Sequence, residues 1–464
     1  MQISDTTGID DLKASREPGS RFAAATACPG LLRKIVRNLI ESWPDEVYDR
    51  RLVEVSRIGR RTFFVCDPAL IRSLLVDQSG SIAREDFMIA ALSPLLGRGI
   101  LTSDGARWKA QRRTAAPIFR PDAIAAFVPA MHNAVERTAV RWSSRGEGPV
   151  DVLDEMMRTT FDIIGATTLP DEPSLDVAEF GRSLSTYLDS VGWKILMSML
   201  KAPRWVPHPG SIRAARAARR LRGSIAGIVA GRRAEGRFGR DLLGLMMQAS
   251  DPEGGPHSGS TGMSDEALAD NLLTFVAAGH ETTALAMAWT FRLLAEHPRV
   301  EMRLRAEIAA AGARPAPDDL PYARQVVMEA MRLYPPAPVM VRQAISDVRL
   351  GAITIPAGSS LHVPIYAIHR HRALWASPET FDPDRFAPGI QRDRYSYLPF
   401  GAGPQVFVGM GFAMAECIVI LAGLLPRFRF ETLSPSRPEA RFKVTLRPHG
   451  GMPLKLSPRG AVVR

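Results

Sequence analysis

A chain of 464 residues, 46% hydrophobic and 23% charged, carries enough apolar material to bury a large core, which excludes a disordered or low-complexity polymer. The formal charge of +11 comes mostly from arginines scattered along the sequence; it describes a solvated basic surface suited to an acidic protein partner, and no nucleic acid is expected. Cys28, Cys66 and Cys417 follow no paired or metal-ligand spacing, so neither a disulfide framework nor a zinc site is indicated, and a cytoplasmic location is expected. The first residues lack the basic-then-apolar pattern of a secretory signal, and no apolar run reaches the ~20 residues of a membrane helix, so no transmembrane segment is expected.

In chain order, the basic amphipathic stretch 31–40 reads as a short helix packed on its own domain, with a membrane surface as the alternative. Val53, Val55 and Ile58 alternate, Gly59-Arg60 turns, and Thr62-Phe63-Phe64-Val65 resumes, the pattern of a β-hairpin. Asp67-Pro68 opens a helix. From about 106 to 250 the apolar residues recur three and four apart, notably over 121–142, 151–167 and 211–232. The segment 251–262 is rich in Gly, Pro and Ser and reads as an exposed loop between helices. Ser264 then caps a helix that runs to Glu296, apolar nearly all round and therefore destined for the core, before His297-Pro298 stops it. A further helix ends near Tyr334-Pro335-Pro336. Short strands follow around 340–365, a proline-punctuated meander over 374–399, a last helix from Met410, and strands over 428–457. The mixture is mainly α with small β sheets segregated from it.

Three constellations stand out. Inside the long helix lies Ala278-Gly279-His280-Glu281-Thr282-Thr283, where an interior glycine, an acid and two hydroxyls in an apolar setting are costly unless they are paired or functional. Both a packing notch and a proton-relaying site fit it. Trp108 and Arg112 lie four apart, able to grasp an anionic group together or to form an ordinary basic helix face. Glu329 and Arg332, three apart and followed by Arg342, form a pair that taken alone is a commonplace surface feature.

Together, and in this order, these motifs resemble the cytochrome P-450 superfamily of haem-thiolate monooxygenases, joined by Pro383-Asp384-Arg385-Phe386 and by the glycine-rich loop 400–409 followed by Gly411-Phe412-Ala413-Met414-Ala415-Glu416. The resemblance spans nearly the whole chain. It implies a single domain over 1–464, with a β-containing lobe at about 45–75 joined to 340–400, a helical lobe for most of the remainder, and the long central helix crossing a haem pocket. It also implies a small lipophilic substrate and a ferredoxin-type electron donor. Position by position, Trp108, Arg112 and Arg342 would bind haem propionates. Phe400, Gly401, Gly403, Gln405 and Gly409 would form the haem loop. Glu281 and Thr282 would deliver protons, while Glu329, Arg332 and Arg385 would form a buried structural network.

The sequence departs from the family in that loop, where phenylalanine, Phe407, stands in place of the ligand cysteine and Gln405 in place of an arginine or histidine. A thiolate pushes electron density onto iron and favours O–O cleavage; a phenyl ring has no lone pair to give. The departure implies a monooxygenase by descent, impaired in thiolate chemistry. The alternatives are a haem-poor or haem-free binding or helper protein, and a haem protein with non-thiolate ligation, for which His280 offers a ligand from the opposite side.

Overall fold

The computed structural model describes residues 34, 37–57, 60–169, 177–199, 206–236, 238–249, 263–442 and 444–459. Most of 31–40, the hairpin turn at Ile58 and Gly59, and the loop 251–262 therefore lie outside the described residues; of the first, Leu39–Ser42 forms a 3-10 turn. No helix among the described residues is long and apolar enough to cross a membrane.

Contacts group the chain into two units. The first comprises Met1–Glu85, Val339–Pro378 and Arg392–Val406. Its centre is a five-stranded sheet ordered Leu52–Arg57, Arg60–Val65, Ser360–Val363, Met340–Ala344, Ile82–Arg84. The expected hairpin pairs antiparallel with Arg57 opposite Arg60, and its second strand then runs parallel to Ser360–Val363. Phe63, Phe64 and Val65 are all buried, so the β-branched and aromatic run is covered on both faces. Asp67 accepts the Leu70 amide and starts Pro68–Arg72, as its Asp-Pro signature requires.

The second unit comprises Asp86–Pro338, Glu379–Gln391 and Phe407–Arg464. The three expected helices are Pro121–Arg145, Val152–Thr168 and Ser211–Ala234. The long helix, Asp265–Glu296, begins where the Ser264 hydroxyl accepts the Ala267 amide, with Asp265 and Glu266 at the positive end of its dipole. It packs against Val152–Thr168, Ser211–Ala234, Pro321–Leu333 and Met410–Leu424. Trp289, wholly buried on it, stacks on Tyr334 with ring centroids 3.6 Å apart. Small sheets pack on the helices: Gly148–Asp151, Pro453–Pro458 and Phe428–Thr432 form one, and Ala440–Phe442 with Leu446–Pro448 another. The architecture is mainly α with small sheets and a buried central helix, as the periodicity indicated.

Candidate functional site

From residue 268 to 294 every residue of the long helix is buried except Ala277, Ala278, Gly279 and Thr282, so the polar motif opens the one accessible stripe in an otherwise enclosed rod. Gly279 also serves packing: a Cβ there would come within 3.1 Å of the Ile164 Cδ1, so the two readings of this glycine are not exclusive. The Thr282 hydroxyl donates to the Ala278 carbonyl at 2.6 Å, a bond that loosens the local helical ladder. Glu281 is buried and paired with Arg447, whose Nε lies 2.7 Å from its carboxylate, while the Thr445 hydroxyl donates to the same oxygen. Burial opposes ionisation of Glu281, but the charge and hydrogen bond of Arg447 and the bond from Thr445 outweigh it and hold its pKa below the ordinary value. Glu281 is thus a carboxylate locked in an ion pair.

His280 points elsewhere. Its ring sits edge-on against Phe161 at 5.2 Å, and its carbonyl accepts the Thr160 hydroxyl at 3.0 Å. At about 100° per residue it lies roughly 150° round the helix from the midpoint of Ala278, Gly279 and Thr282, facing the Val152–Thr168 helix. Burial lowers its pKa from 6.5 to about 4, with Glu281 raising it and Arg447 lowering it as smaller influences. The folded chain therefore excludes a proton that the unfolded chain binds below pH 6.5, and stability contributed by neutral His280 is lost as pH falls from 6.5 towards 4. The Glu281 contribution is lost lower, as pH falls through its depressed pKa. Urea unfolding at pH 7 and pH 4.5 is expected to show wild type losing on the order of 2 to 3 kcal/mol more than His280→Phe across that interval. An equal loss in both proteins would refute the assignment.

Trp108 and Arg112 lie one turn apart on the helix Gly105–Ala115, the indole buried and the guanidinium half-buried, its pKa lowered by desolvation. Trp108 belongs to the same apolar cluster as Phe275 and Val276 of the long helix, and Ala277 and Val408 pack against that cluster. Motifs far apart in sequence thus converge within this unit.

The glycine-rich loop is tightly turned. In the first unit Gly401 and Gly403 have φ of 75° and 73°, and a Cβ on Gly403 would meet the Leu75 carbonyl at 2.6 Å, so only glycine fits there. Phe400, half-buried, precedes this turn. The Val406 amide closes on the Gly403 carbonyl at 3.1 Å. Gln405 accepts a hydrogen bond from Arg342 at 3.0 Å, a neutral amide standing beside a cation where the family has an arginine or histidine. In the second unit the Phe407 ring lies over Gly409: a Cβ on that glycine would be 3.1 Å from the ring's Cε1 and Cζ, and 3.7 Å from Phe119. Phe119 in turn meets Phe275 edge-on at 5.2 Å.

The acid and base of Pro321–Leu333 are wholly buried. Arg332 holds Glu329 through two bonds of 2.7 and 2.8 Å and donates to the Thr380 carbonyl at 2.9 Å. The Asp382 amide donates to Glu329 at 2.9 Å, and Arg385 approaches the same carboxylate at 3.4 Å. The commonplace surface pair is here a buried knot tying the helix to the turn Pro383–Phe386. Arg447 and Thr445 are the members sequence reasoning missed; the only signal for them was that an acid in an apolar helix demands a counter-charge.

Residues 48–454 match the profile of the family described as Cytochrome P450. The chain belongs to the cytochrome P450 family. It is 32% identical to the cyclooctat-9-en-7-ol 5-monooxygenase of Streptomyces melanosporofaciens, over 82% of this chain and 82% of that protein. It is 29% identical to cyclooctatin synthase from the same organism, over 94% of this chain and 97% of that one. Among solved structures it is similar to the cytochrome P450DA heme domain, with a TM-score of 0.78 and 26% identity over 88% of this chain and 90% of that one. Membership of the cytochrome P450 family implies haem, a lipophilic substrate and redox partners.

Proposed function

We propose that this chain is a cytochrome P450 that keeps the porphyrin-facing residues and the oxygen-side motif of a monooxygenase of small lipophilic substrates but has lost thiolate-dependent oxygen activation. The reading is carried by one observation: Phe407, at the ligand position of the family loop, packs its ring on Gly409 beside Phe119. Haem ligated by a thiolate supplies O–O cleavage, and hydrocarbon at that position supplies no electron pair. The two cysteines among the described residues do not repair the loss: Cys417 is buried in the core of Met410–Leu424, its thiol pushed up by burial, and Cys66 is buried after a strand of the first unit.

The rest of the donor set fits a porphyrin. Trp108 and Arg112 suit an anionic carboxylate, and Ala277, Ala278 and Gly279 offer a flat apolar surface. Within the first unit, Arg342 is a cation suited to a carboxylate, and Gln405 accepts its hydrogen bond without adding a second charge. Glu281 and Thr282 hold the positions from which the family delivers protons; in this chain the Glu281 proton-accepting oxygen is occupied by Arg447 and Thr445. Glu329, Arg332 and Arg385 serve the fold. A ferredoxin-type donor belongs only to a version of this protein that turns over.

The Phe407 ring lying over Gly409, bulkier than the cysteine it replaces, also favours a second reading, a non-catalytic binding or helper protein that is poor in haem. Absorption spectroscopy of purified protein separates the readings. The reduced, carbon monoxide-treated sample is expected to lack the long-wavelength Soret band of thiolate ligation. Its appearance, with hydroxylation of an organic compound by dioxygen, would overturn the proposal. Stoichiometric haem would count against the haem-poor reading.

A further inference from the structure

Resting on the loss of the thiolate, we infer that the second unit recognises a porphyrin irrespective of the metal at its centre. His280, Glu281 and Thr282 of the motif are each engaged elsewhere. His280 lies against Phe161, Glu281 is held by Arg447 and Thr445, and Thr282 is bonded to the Ala278 carbonyl. Cys417 is buried within the helix Met410–Leu424. The loop contributes a phenyl ring in place of a donor atom.

What remains is common to every porphyrin. The stripe Ala277, Ala278, Gly279 and Thr282 is the accessible part of a buried helix, suited to covering a flat apolar face. Phe407 offers ring-to-ring dispersion, which depends on the macrocycle and not on its metal. Trp108 and Arg112 suit the peripheral carboxylates, whose charge is the same in metal-free and metallated forms. A binding energy assembled from these contributions contains no axial bond, and so no preference for iron.

The test is direct titration of the full chain, purified without haem, with metal-free protoporphyrin, zinc protoporphyrin and iron protoporphyrin, read by fluorescence or absorption. The three dissociation constants are expected to agree within about fivefold. Arg112→Met is expected to weaken all three by a common factor of about ten, and Phe407→Cys to make the chain favour iron by about a hundredfold. A preference of wild type for iron exceeding about tenfold overturns the inference. If that preference comes with the long-wavelength carbon monoxide band, the loss of thiolate chemistry falls with it; without the band, only metal indifference falls. Failure of all three porphyrins to bind overturns metal-independent recognition and leaves the haem-poor reading standing.

Discussion

Replacing Phe407 by cysteine together with Gln405 by arginine is expected to give a reduced, carbon monoxide-bound protein with the Soret band of thiolate ligation, where wild type has none. The backbone needed for this is intact: Gly401 and Gly403 hold the left-handed conformations of the turn, and the Val406 amide still closes it. Cysteine is smaller than phenylalanine, so it fits the space that the ring now occupies over Gly409. Truncating the half-buried Phe407 leaves a gap over Gly409, at a cost of about 1 to 3 kcal/mol, which a protein of this size tolerates. Gln405→Arg places a second guanidinium beside Arg342, where the amide now accepts a hydrogen bond. Without an anion the double variant is therefore expected to be less stable than Phe407→Cys alone, and with porphyrin carboxylates bound the order reverses. A double variant that folds and takes up haem but shows no such band would mean that the damage extends beyond the loop.

The largest stability effect is expected at Glu329. This carboxylate is the hub of a wholly buried knot, facing Arg332, Arg385 and the Asp382 amide. Glu329→Leu strands the Arg332 guanidinium in the core, which costs about 3 to 5 kcal/mol. Replacing both partners by leucine removes the stranded charge and is expected to recover much of that loss. Arg332→Leu should fall between them, because Glu329 keeps Arg385 and the Asp382 amide. Urea midpoints of the three variants measure this order; a double variant that loses the sum of the two single losses would show that the pair contributes nothing as a pair. Haem retention is expected to fall with stability here, whereas substrate preference stays unchanged.

Local signals in the chain were enough for the scaffold. Ser264, the acidic pair after it, an unbroken apolar run and His297-Pro298 together specify one long buried helix, because caps and periodicity act over a few residues. The hairpin at 52–65 and the start at Asp67-Pro68 were legible for the same reason. The site was legible only in part. Glu281 was visible as a costly acid, yet its partner lies 166 residues further on, in a segment whose own pattern says only that it is a strand. The spacing of Glu329 and Arg332 is the same on a surface helix and in a core, and burial alone distinguishes the two. The place of the Phe407 ring over Gly409 was equally out of reach, since a missing ligand reveals what is lost and not what fills the space.

The tie between Glu281 and the strand carrying Arg447 bears on how the protein is made. Synthesis proceeds from the N-terminus, so the helix with its acid leaves the ribosome long before its counter-charge does. Until then that carboxylate must stay hydrated or take up a proton. A nascent chain halted near residue 440 would carry nearly every helix and still lack the counter-charge of the acid on the central one.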